Sequence, residues 1–319
     1  MRALHVRSMI KGKFVLLLFL VLTLASAPGF TKAWPQTAGT SSPSPSRLVA
    51  KPDYVVIKPV ANMYRDANRL TDVVSQAIYG SNVTRVKSKH GWVNVRATDQ
   101  YTGWIPTSDL RKLKGQAYAT SGAVARISQL SANLYREPDV TKHAPLLTLP
   151  WEVRLEVLPN KVPGDQERWL QVRLPDSSTA FVQVGDVSTD FTPLTVDQMI
   201  ATAKKFLGVT YTWGGSSDFG FDCSGFTQML MRQRGIIMPR DADLQAAWTG
   251  VAPIERANLQ PGDLLFFGGG PEHITHTGLY IGEGKFIHDT THEHPGVQIS
   301  TLDDKPWTTL LVAARRVKS

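Results

Sequence analysis

A single cysteine, Cys223, lies in the segment Phe221-Asp222-Cys223-Ser224-Gly225, and histidines follow at His276 and, 12 residues later, at His288. A thiol with a histidine base is a nucleophile that attacks carbonyl carbons, and a third polar residue can orient the base. A lone cysteine is more often an inert core residue. The aspartate before this thiol and the two histidines after it favour a cysteine nucleophile over packing.

Capping residues place the helices around this thiol. Thr195 with Gln198 forms a capping box, which predicts a helix that is stopped by Gly208. A second helix is predicted from Cys223 to about Arg234. Its N-terminal N–H groups would lower the thiol pKa, and a protonated histidine would lower it further. The sequence therefore predicts a reactive thiolate.

The two histidines fall on a predicted β-hairpin. The turn Gly282-Glu283-Gly284 would fold the strand that carries His288 back beside the strand that carries His276. We interpret His276 as the general base, and then the general acid, and His288 as the residue that fixes its tautomer. His273 competes for the role of base by proximity, and His288 could instead be a cross-strand partner without a catalytic part. Gly278 is expected to leave room above the sheet for a thiol and a substrate.

Residues 191–319 contain helices first and strands later. This order favours an α+β domain in which helices pack on an antiparallel sheet. Apolar and β-branched runs predict its strands at residues 263–267, 277–281, 285–288, 297–300 and 310–314.

A degenerate repeat precedes this domain. The segment Asn62-Met63-Tyr64 is echoed by Asn133-Leu134-Tyr135, and Trp92-Val93 is echoed by Trp169-Leu170. Alternating apolar and polar positions predict short, half-buried strands. Two copies predict two small antiparallel barrels, at residues 51–115 and 116–190, with a small insertion in the second near residues 159–166. The second barrel could be a ligand-binding domain or a spacer.

The first 50 residues have the composition of a targeting segment and a linker. A basic start, an apolar run at residues 14–24 and the small residues Ala25-Ser26-Ala27 predict a signal peptide over residues 1–33. The apolar run is shorter than the roughly 20 residues that span a bilayer, so we expect no stable membrane span after cleavage; an uncleaved anchor is the alternative. Residues 34–50, rich in Pro, Ser and Thr, predict a flexible linker. An unpaired cysteine in an exported protein suggests that the thiol has a task.

Composition excludes several kinds of partner. The net charge is +8, but residues 1–27 carry four basic residues and no acid, so the remaining excess is mild. Without an arginine-rich run or zinc-finger spacing, nucleic-acid binding is not expected. His292, Glu293 and His294 follow His288 in a loop, whereas zinc needs ligands on a rigid frame. We therefore expect no metal and no cofactor.

Four ordered motifs within residues 195–317 resemble the NlpC/P60 family of cell-wall cysteine peptidases. The repeats resemble bacterial SH3-type domains. Together they imply a papain-like α+β peptidase domain over residues 191–319 behind two SH3-like domains, as in the γ-D-glutamyl-L-diamino acid endopeptidase branch. The motifs are Tyr211-Thr212-Trp213-Gly214-Gly215, Phe221-Asp222-Cys223-Ser224-Gly225, Leu259-Gln260-Pro261-Gly262-Asp263 and His276-Thr277-Gly278-Leu279-Tyr280.

The resemblance also implies roles around the thiol. Tyr211 would support the oxyanion together with the backbone N–H of Cys223, although it could be an ordinary half-buried strand tyrosine. Asp222 and Ser224 would bind the free α-amine of a substrate's L-Ala. Asp222 is in addition a natural helix N-cap, and the two roles are compatible.

The first SH3-like domain is implied to shape the substrate site. Tyr101 would lean over the site and narrow it to short peptides, and Asp241 is assigned to the same substrate-binding group. The branch also uses a glutamate after a Tyr-Gly pair. Here Tyr79-Gly80 is followed by Ser81, which departs from the free-amine pattern.

These expectations combine into one function. The chain is interpreted as an exported peptidase, secreted or in the cell wall, that cuts the γ-D-glutamyl–diamino acid bond of peptidoglycan stem peptides, preferably short peptides with free L-Ala. The alternatives are a wall-remodelling endopeptidase that acts on intact peptidoglycan, and a wall-binding protein with an inert peptidase domain. The sequence leaves open whether the diamino acid is meso-diaminopimelate or Lys.

Overall fold

The computed structural model describes residues 51–159 and 168–318. The predicted signal peptide and linker, and most of the predicted insertion, lie outside these residues. No helix in the described ranges combines the length and the apolar character that a bilayer crossing requires.

The first unit, residues 54–112, is an antiparallel sheet. Within residues 51–159 its seven strands have the spatial order β3-β2-β6-β5-β4-β1-β7. Tyr64, at the end of β2, packs edge-on against Trp92 of β5 with 5.5 Å between the ring centroids. The strands are β1 (Tyr54–Val56), β2 (Val60–Tyr64), β3 (Val73–Ile78), β4 (Asn82–Lys89), β5 (Trp92–Arg96), β6 (Thr102–Pro106) and β7 (Leu110–Lys112).

The second unit, residues 124–188, repeats this strand order. Its strands pair as β10-β9 and β13-β12-β11-β8-β14, and a bridge between Tyr135 and Phe181 connects the two groups. Tyr135 packs edge-on against Trp169 at 5.6 Å, so the repeated Tyr and Trp have the same structural place in both units. The strands are β8 (Val124–Ile127), β9 (Ser131–Leu134), β10 (Leu147–Pro150), β11 (Arg154–Val157), β12 (Trp169–Arg173), β13 (Thr179–Gln183) and β14 (Val187–Ser188).

The third unit, residues 196–317, is an α+β layer structure. Within residues 168–318 its main sheet has six strands in the order β17-β22-β18-β19-β20-β21. Leu264 and Phe266 of β18 face the helical layer, while Leu265 and Phe267 face a second cluster, as two-residue periodicity requires. The strands are β15 (Ser216–Ser217), β16 (Gly220–Phe221), β17 (Val251–Pro253), β18 (Leu264–Gly270), β19 (His273–Gly282), β20 (Lys285–Thr290), β21 (Gly296–Thr301) and β22 (Leu311–Val317).

The helices of the third unit match the predictions in part. The helices are α1 (Val196–Lys204), α2 (Cys223–Gln233), α3 (Ala242–Ala247) and α4 (Trp307–Leu310). The capping box of Thr195 and Gln198 is present, and α2 begins at the predicted residue. However, α1 ends before Gly208, and α3 and α4 were not predicted, because such short helices have almost no periodicity to detect.

The second unit is anchored in the core of the third by one side chain. Trp151, in the turn after β10, is buried and packs edge-on against Phe206 at 5.5 Å. Its backbone N–H donates to Asp218 Oδ1 at 2.9 Å. The adjacent Glu152 forms an ion pair with Arg232 at 2.7 Å. The second unit is therefore a structural support of the third.

Trp151→Ala is expected to destabilise the protein by about 3–5 kcal/mol, because it leaves a cavity in the core of the third unit. Urea unfolding would measure the loss. Trp213→Ala is the matched control, since Trp213 is 70% exposed and its removal should change stability by about 0.5 kcal/mol or less. Equal effects of the two substitutions would show that Trp151 does not anchor the second unit.

Candidate active site

Cys223 is the first residue of α2, and Asp222 is its N-cap. Asp222 Oδ1 accepts a hydrogen bond from the backbone N–H of Gly225 at 2.7 Å. A Cβ on Gly225 would lie 2.1 Å from the carbonyl oxygen of Gly215, so this close approach requires glycine. The backbone N–H groups of Thr277 and Ser224 lie against the sulfur. Because Thr277 directly follows His276, the thiol lies beside the backbone of β19 next to His276.

The predicted lowering of the thiol pKa is wrong for this structure. Cys223 is only 7% exposed. Burial, together with the charge of Asp222, raises the pKa of the thiol to about 12, against the opposing effect of Thr277 N–H and Arg240. Loss of hydration outweighs the helix N-terminus because the charged form has little solvent access. The resting thiol is therefore neutral.

The histidine pair is connected by a short hydrogen bond. His276 Nε2 and His288 Nδ1 are 2.7 Å apart, and His288 Nε2 is 3.0 Å from Ser300 Oγ. Because this series of hydrogen bonds uses Nε2 of His276, Nδ1 is the nitrogen that would exchange a proton with a thiol. Burial lowers the pKa of His276 to about 4, so the resting imidazole is neutral as well. Ser300 was not predicted. It lies on the same face of β21 as Gln298, which pairs with His288 across the sheet.

The β19–β20 hairpin forms as predicted, with a different role for its glycine. Tyr280 pairs with Phe286. The same strand register places Gly278 beside His288. A Cβ on Gly278 would meet Phe286 Cδ2 at 2.8 Å and His288 Cβ at 3.0 Å. The space is thus occupied by these two side chains and is not free for substrate. His273, the competing base, is exposed at the beginning of β19.

Arg240 is the residue that sequence analysis missed next to the thiol. Its guanidinium is buried and donates to both carboxylate oxygens of Asp222, at 2.9 and 2.7 Å. The cation offsets the negative charge of Asp222 beside the sulfur. Both carboxylate oxygens of Asp222 are already hydrogen-bonded to this guanidinium. The only signal in the sequence was its position directly before Asp241. Its other partners are Ser224 Oγ at 2.9 Å, Gly215 O at 3.1 Å, Ser216 Oγ at 3.1 Å and Ser75 Oγ at 3.2 Å.

The first unit forms hydrogen bonds to the third unit close to the beginning of α2. Tyr101 donates its hydroxyl to Asp241 Oδ2 at 2.9 Å. Asp99 Oδ2 accepts from Gln228 Nε2 at 2.9 Å, and Gln76 Oε1 accepts from the backbone N–H of Ser216 at 3.0 Å. Two predicted site residues from separate units, Tyr101 and Asp241, are therefore in direct contact.

Ser81, at which the sequence departs from the free-amine pattern, lies in another part of the first unit. Ser81 lies in the turn between β3 and β4, and its carbonyl oxygen accepts from the backbone N–H of Val56 at 3.0 Å. The contacts of the first unit described above come instead from β3 and from the turn between β5 and β6. None of those contacts involves Ser81, so its departure from the free-amine pattern stays a prediction.

Tyr211 is half-buried and bridges to Phe221, directly before the Asp222–Cys223 segment. Its pKa is raised by burial and, at the high pH where a phenol ionises, by the nearby acidic groups of Cys223, Asp222 and Asp289. The phenol therefore keeps its proton beside the thiol. It is able to donate a hydrogen bond to a developing oxyanion.

Asp289, which was not predicted as functional, is a buried acid. Its side chain is inaccessible, and neither carboxylate oxygen has a hydrogen-bond partner among the described residues. Burial, with the nearby charge of Asp222, raises its pKa to about 8, against the opposing effect of the backbone N–H groups of Thr290 and Phe221. Asp289 is therefore protonated at neutral pH.

Asp289→Asn is expected to stabilise the protein in a pH-dependent way. The raised pKa, about 8 against an ordinary 3.8, means that the folded protein keeps a proton that the unfolded chain releases. The contribution of Asp289 to wild-type stability is then most favourable below about pH 4 and falls towards about pH 8, by at most about 1.4 kcal/mol per pH unit. The asparagine variant lacks this slope, so its advantage should grow by on the order of 2–3 kcal/mol between pH 5 and pH 7.

Urea unfolding at the two pH values would measure this difference. Asp303→Asn is the matched control, because the side chain of Asp303 is 78% exposed and its substitution should be nearly independent of pH. An equal advantage of Asp289→Asn at both pH values would mean that Asp289 does not titrate in this range.

Known proteins share this architecture. The NlpC/P60 family matches residues 208–316, and the bacterial dipeptidyl-peptidase Sh3 domain matches residues 63–110. The γ-D-glutamyl-L-lysine dipeptidyl-peptidase of Bacillus cereus is 33% identical over 268 residues, which cover 79% of this chain and 76% of that protein. The enzyme of the same name from Bacillus subtilis is 32% identical over 76% of this chain and 81% of that protein.

A solved structure shows the same fold. The crystal structure of an NlpC/P60 family protein from Bacillus cereus has a TM-score of 0.72 at 27% identity, and the match covers 83% of this chain and 99% of that one. The chain thus belongs to the NlpC/P60 family. It is a cysteine peptidase, and its N-terminal part includes an SH3-like domain.

Proposed function

We propose that the protein is an exported peptidase that cleaves the γ-D-glutamyl–diamino acid bond of short peptidoglycan peptides with a free N-terminal L-Ala. The observation that carries this proposal is the contact between Tyr101 of the SH3-like domain and Asp241 of the peptidase domain, 2.9 Å apart. A second domain that contacts the peptidase domain at Asp241 supports a short substrate over an intact glycan strand.

The residues around the thiol support a nucleophilic mechanism. Cys223 Sγ attacks the γ-carbonyl carbon while its proton passes to Nδ1 of His276, and His288 holds the ring through the 2.7 Å hydrogen bond. The backbone N–H of Cys223 and the Tyr211 hydroxyl stabilise the oxyanion. His276 then protonates the leaving amine, and water hydrolyses the thioester to regenerate the thiol.

Asp241 is the best candidate to receive the substrate's ammonium group. Asp222 and Ser224 are engaged with Arg240, so an amine there would compete with a buried cation. Asp241 is half-buried and is held by a neutral phenol, Tyr101. The names of the two Bacillus relatives, which specify dipeptidyl-peptidase action at γ-D-glutamyl-L-lysine, support recognition of a free N-terminus.

The proposed function is tested with paired substrates. L-Ala-γ-D-Glu-L-Lys, its meso-diaminopimelate analogue and the N-acetylmuramyl-capped form of each are incubated with the protein, and cleavage is followed by mass spectrometry. Cleavage of the free peptides at the γ-D-Glu bond, without cleavage of the capped forms, is expected. Cleavage of both forms at similar rates would instead identify a wall-remodelling endopeptidase.

Two further features belong to this proposal. The second unit is a second SH3-like domain, as its identical strand order and its Tyr135–Trp169 pair suggest. Export rests on the composition of residues 1–33. N-terminal sequencing of protein recovered from the wall and the culture medium would test export, since an intact Met1 would contradict cleavage.

A further inference from the structure

We propose that Trp307 is a positioning residue of the reaction, whose indole supports the protonated form of His276 and holds the planes of both histidine rings. The inference rests on the roles proposed above for Cys223 and His276. Trp307 begins α4 and is only 6% exposed.

One indole contacts both members of the histidine pair. Its centroid is 5.3 Å from that of His276, with 31° between the ring planes, and 4.7 Å from that of His288, with 84° between the planes. Phe267 and Phe286 pack against the same indole at 5.3 and 5.5 Å. The two histidines therefore lie in an aromatic enclosure, in which rotation of either ring would break the 2.7 Å hydrogen bond.

The enclosure poses an electrostatic problem for the reaction. When the thiol attacks, His276 must carry a positive charge in a site where burial disfavours the imidazolium. The charged and titratable groups around it are Cys223 and Asp222 from the beginning of α2, and His288 from β20. Asp222 favours the imidazolium, but Arg240 offsets much of its charge.

The indole face supplies attraction without a competing charge. A cation above an aromatic face is stabilised by about 0.5–2 kcal/mol. The 31° angle between His276 and Trp307 makes their contact closer to face-to-face than to edge-on, and the 5.3 Å between the centroids lies within the roughly 6 Å range of this interaction. His292, half-buried in the loop after β20, contacts the same indole at 5.5 Å, and it disfavours the protonated form of His288.

The test uses alkylation of Cys223 by iodoacetamide across a range of pH. Cys223 is the one cysteine of the chain, so the rate reports the thiolate of this site alone. Near neutral pH the reactive form is the thiolate–imidazolium pair, whereas at high pH the thiol ionises without His276. Trp307→Leu is expected to lower the neutral-pH rate by about 2- to 30-fold and to leave the high-pH rate unchanged. Trp307→Phe, which keeps an aromatic face, should recover most of the loss.

Leu302→Ala is the matched control for loosened packing. Leu302 belongs to the same buried cluster as Trp307, and its substitution should leave the shape of the pH profile unchanged. Equal neutral-pH rates for wild type and Trp307→Leu would overturn the proposal. A similar loss in Trp307→Leu, Trp307→Phe and Leu302→Ala at every pH would overturn it too. His276→Ala separates this inference from the proposed mechanism: if it leaves neutral-pH alkylation unchanged, the role of His276 itself is wrong.

Discussion

Cys223→Ala is expected to abolish hydrolysis, with a loss of about 10³-fold or more. The thiol sulfur is the atom that forms the covalent intermediate. No other side chain described at the site is a nucleophile of similar strength. The substitution removes one buried sulfur and keeps Asp222 as the N-cap of α2. We therefore expect the fold to persist, with a change in unfolding free energy of about 1 kcal/mol. Mass spectrometry of peptide cleavage and urea unfolding would measure the two quantities.

Cys223→Ser is the companion variant, because it keeps a hydroxyl of similar size in place of the thiol. Serine is a much weaker nucleophile at this site, since its hydroxyl is harder to deprotonate beside a histidine whose pKa is lowered to about 4. A small residual rate is expected for this variant. Substantial hydrolysis by Cys223→Ala would exclude the thiol mechanism altogether.

Arg240→Met is expected to destabilise the protein by about 3–5 kcal/mol, because it leaves the buried carboxylate of Asp222 without its cation. The ion pair is 2.7 Å long, and the arginine side chain is 1% exposed. The variant also loses the hydrogen bond from Arg240 to Ser75, which connects the SH3-like domain to the peptidase domain. Alkylation of Cys223 should slow as well, because an unpaired Asp222 charge disfavours the thiolate.

A double-mutant cycle distinguishes this explanation from a simple loss of packing. Asp222→Asn in the Arg240→Met background removes the unpaired charge and should recover part of the lost stability. Arg256→Met is the exposed control, since its partner Asp303 is 78% exposed and such surface pairs contribute about 1 kcal/mol or less. If Arg240→Met costs no more than Arg256→Met, the buried pair has no net effect on stability.

Local patterns in the sequence determined much of the architecture. Apolar and β-branched runs predicted β18 to β21 close to their observed positions, because such side chains favour strands wherever the chain places them. Capping chemistry placed the beginning of α1 and of α2, since the Ncap side chain bonds within its own turn. The repeated tyrosine and tryptophan predicted two similar units, and the structure gives each pair the same edge-on contact.

Proximity between distant parts of the chain was decided by the tertiary structure. Tyr101 and Asp241 were assigned to one group by resemblance, yet their contact joins residues 140 positions apart. Arg240 and Trp307 were not predicted, because neither a buried guanidinium nor an indole beside two histidines leaves a local pattern. The insertion of Trp151 into another unit's core is equally non-local.

The ionisation of the site also depended on burial. The sequence predicted a lowered thiol pKa from a helix N-terminus and a histidine, and both features are local. The structure adds the loss of hydration, which raises the pKa of Cys223 and lowers that of His276. Solvent access is a property of the whole packed molecule. Thus the sequence by itself indicates which groups are candidates for the chemistry, while the tertiary structure decides their resting charge.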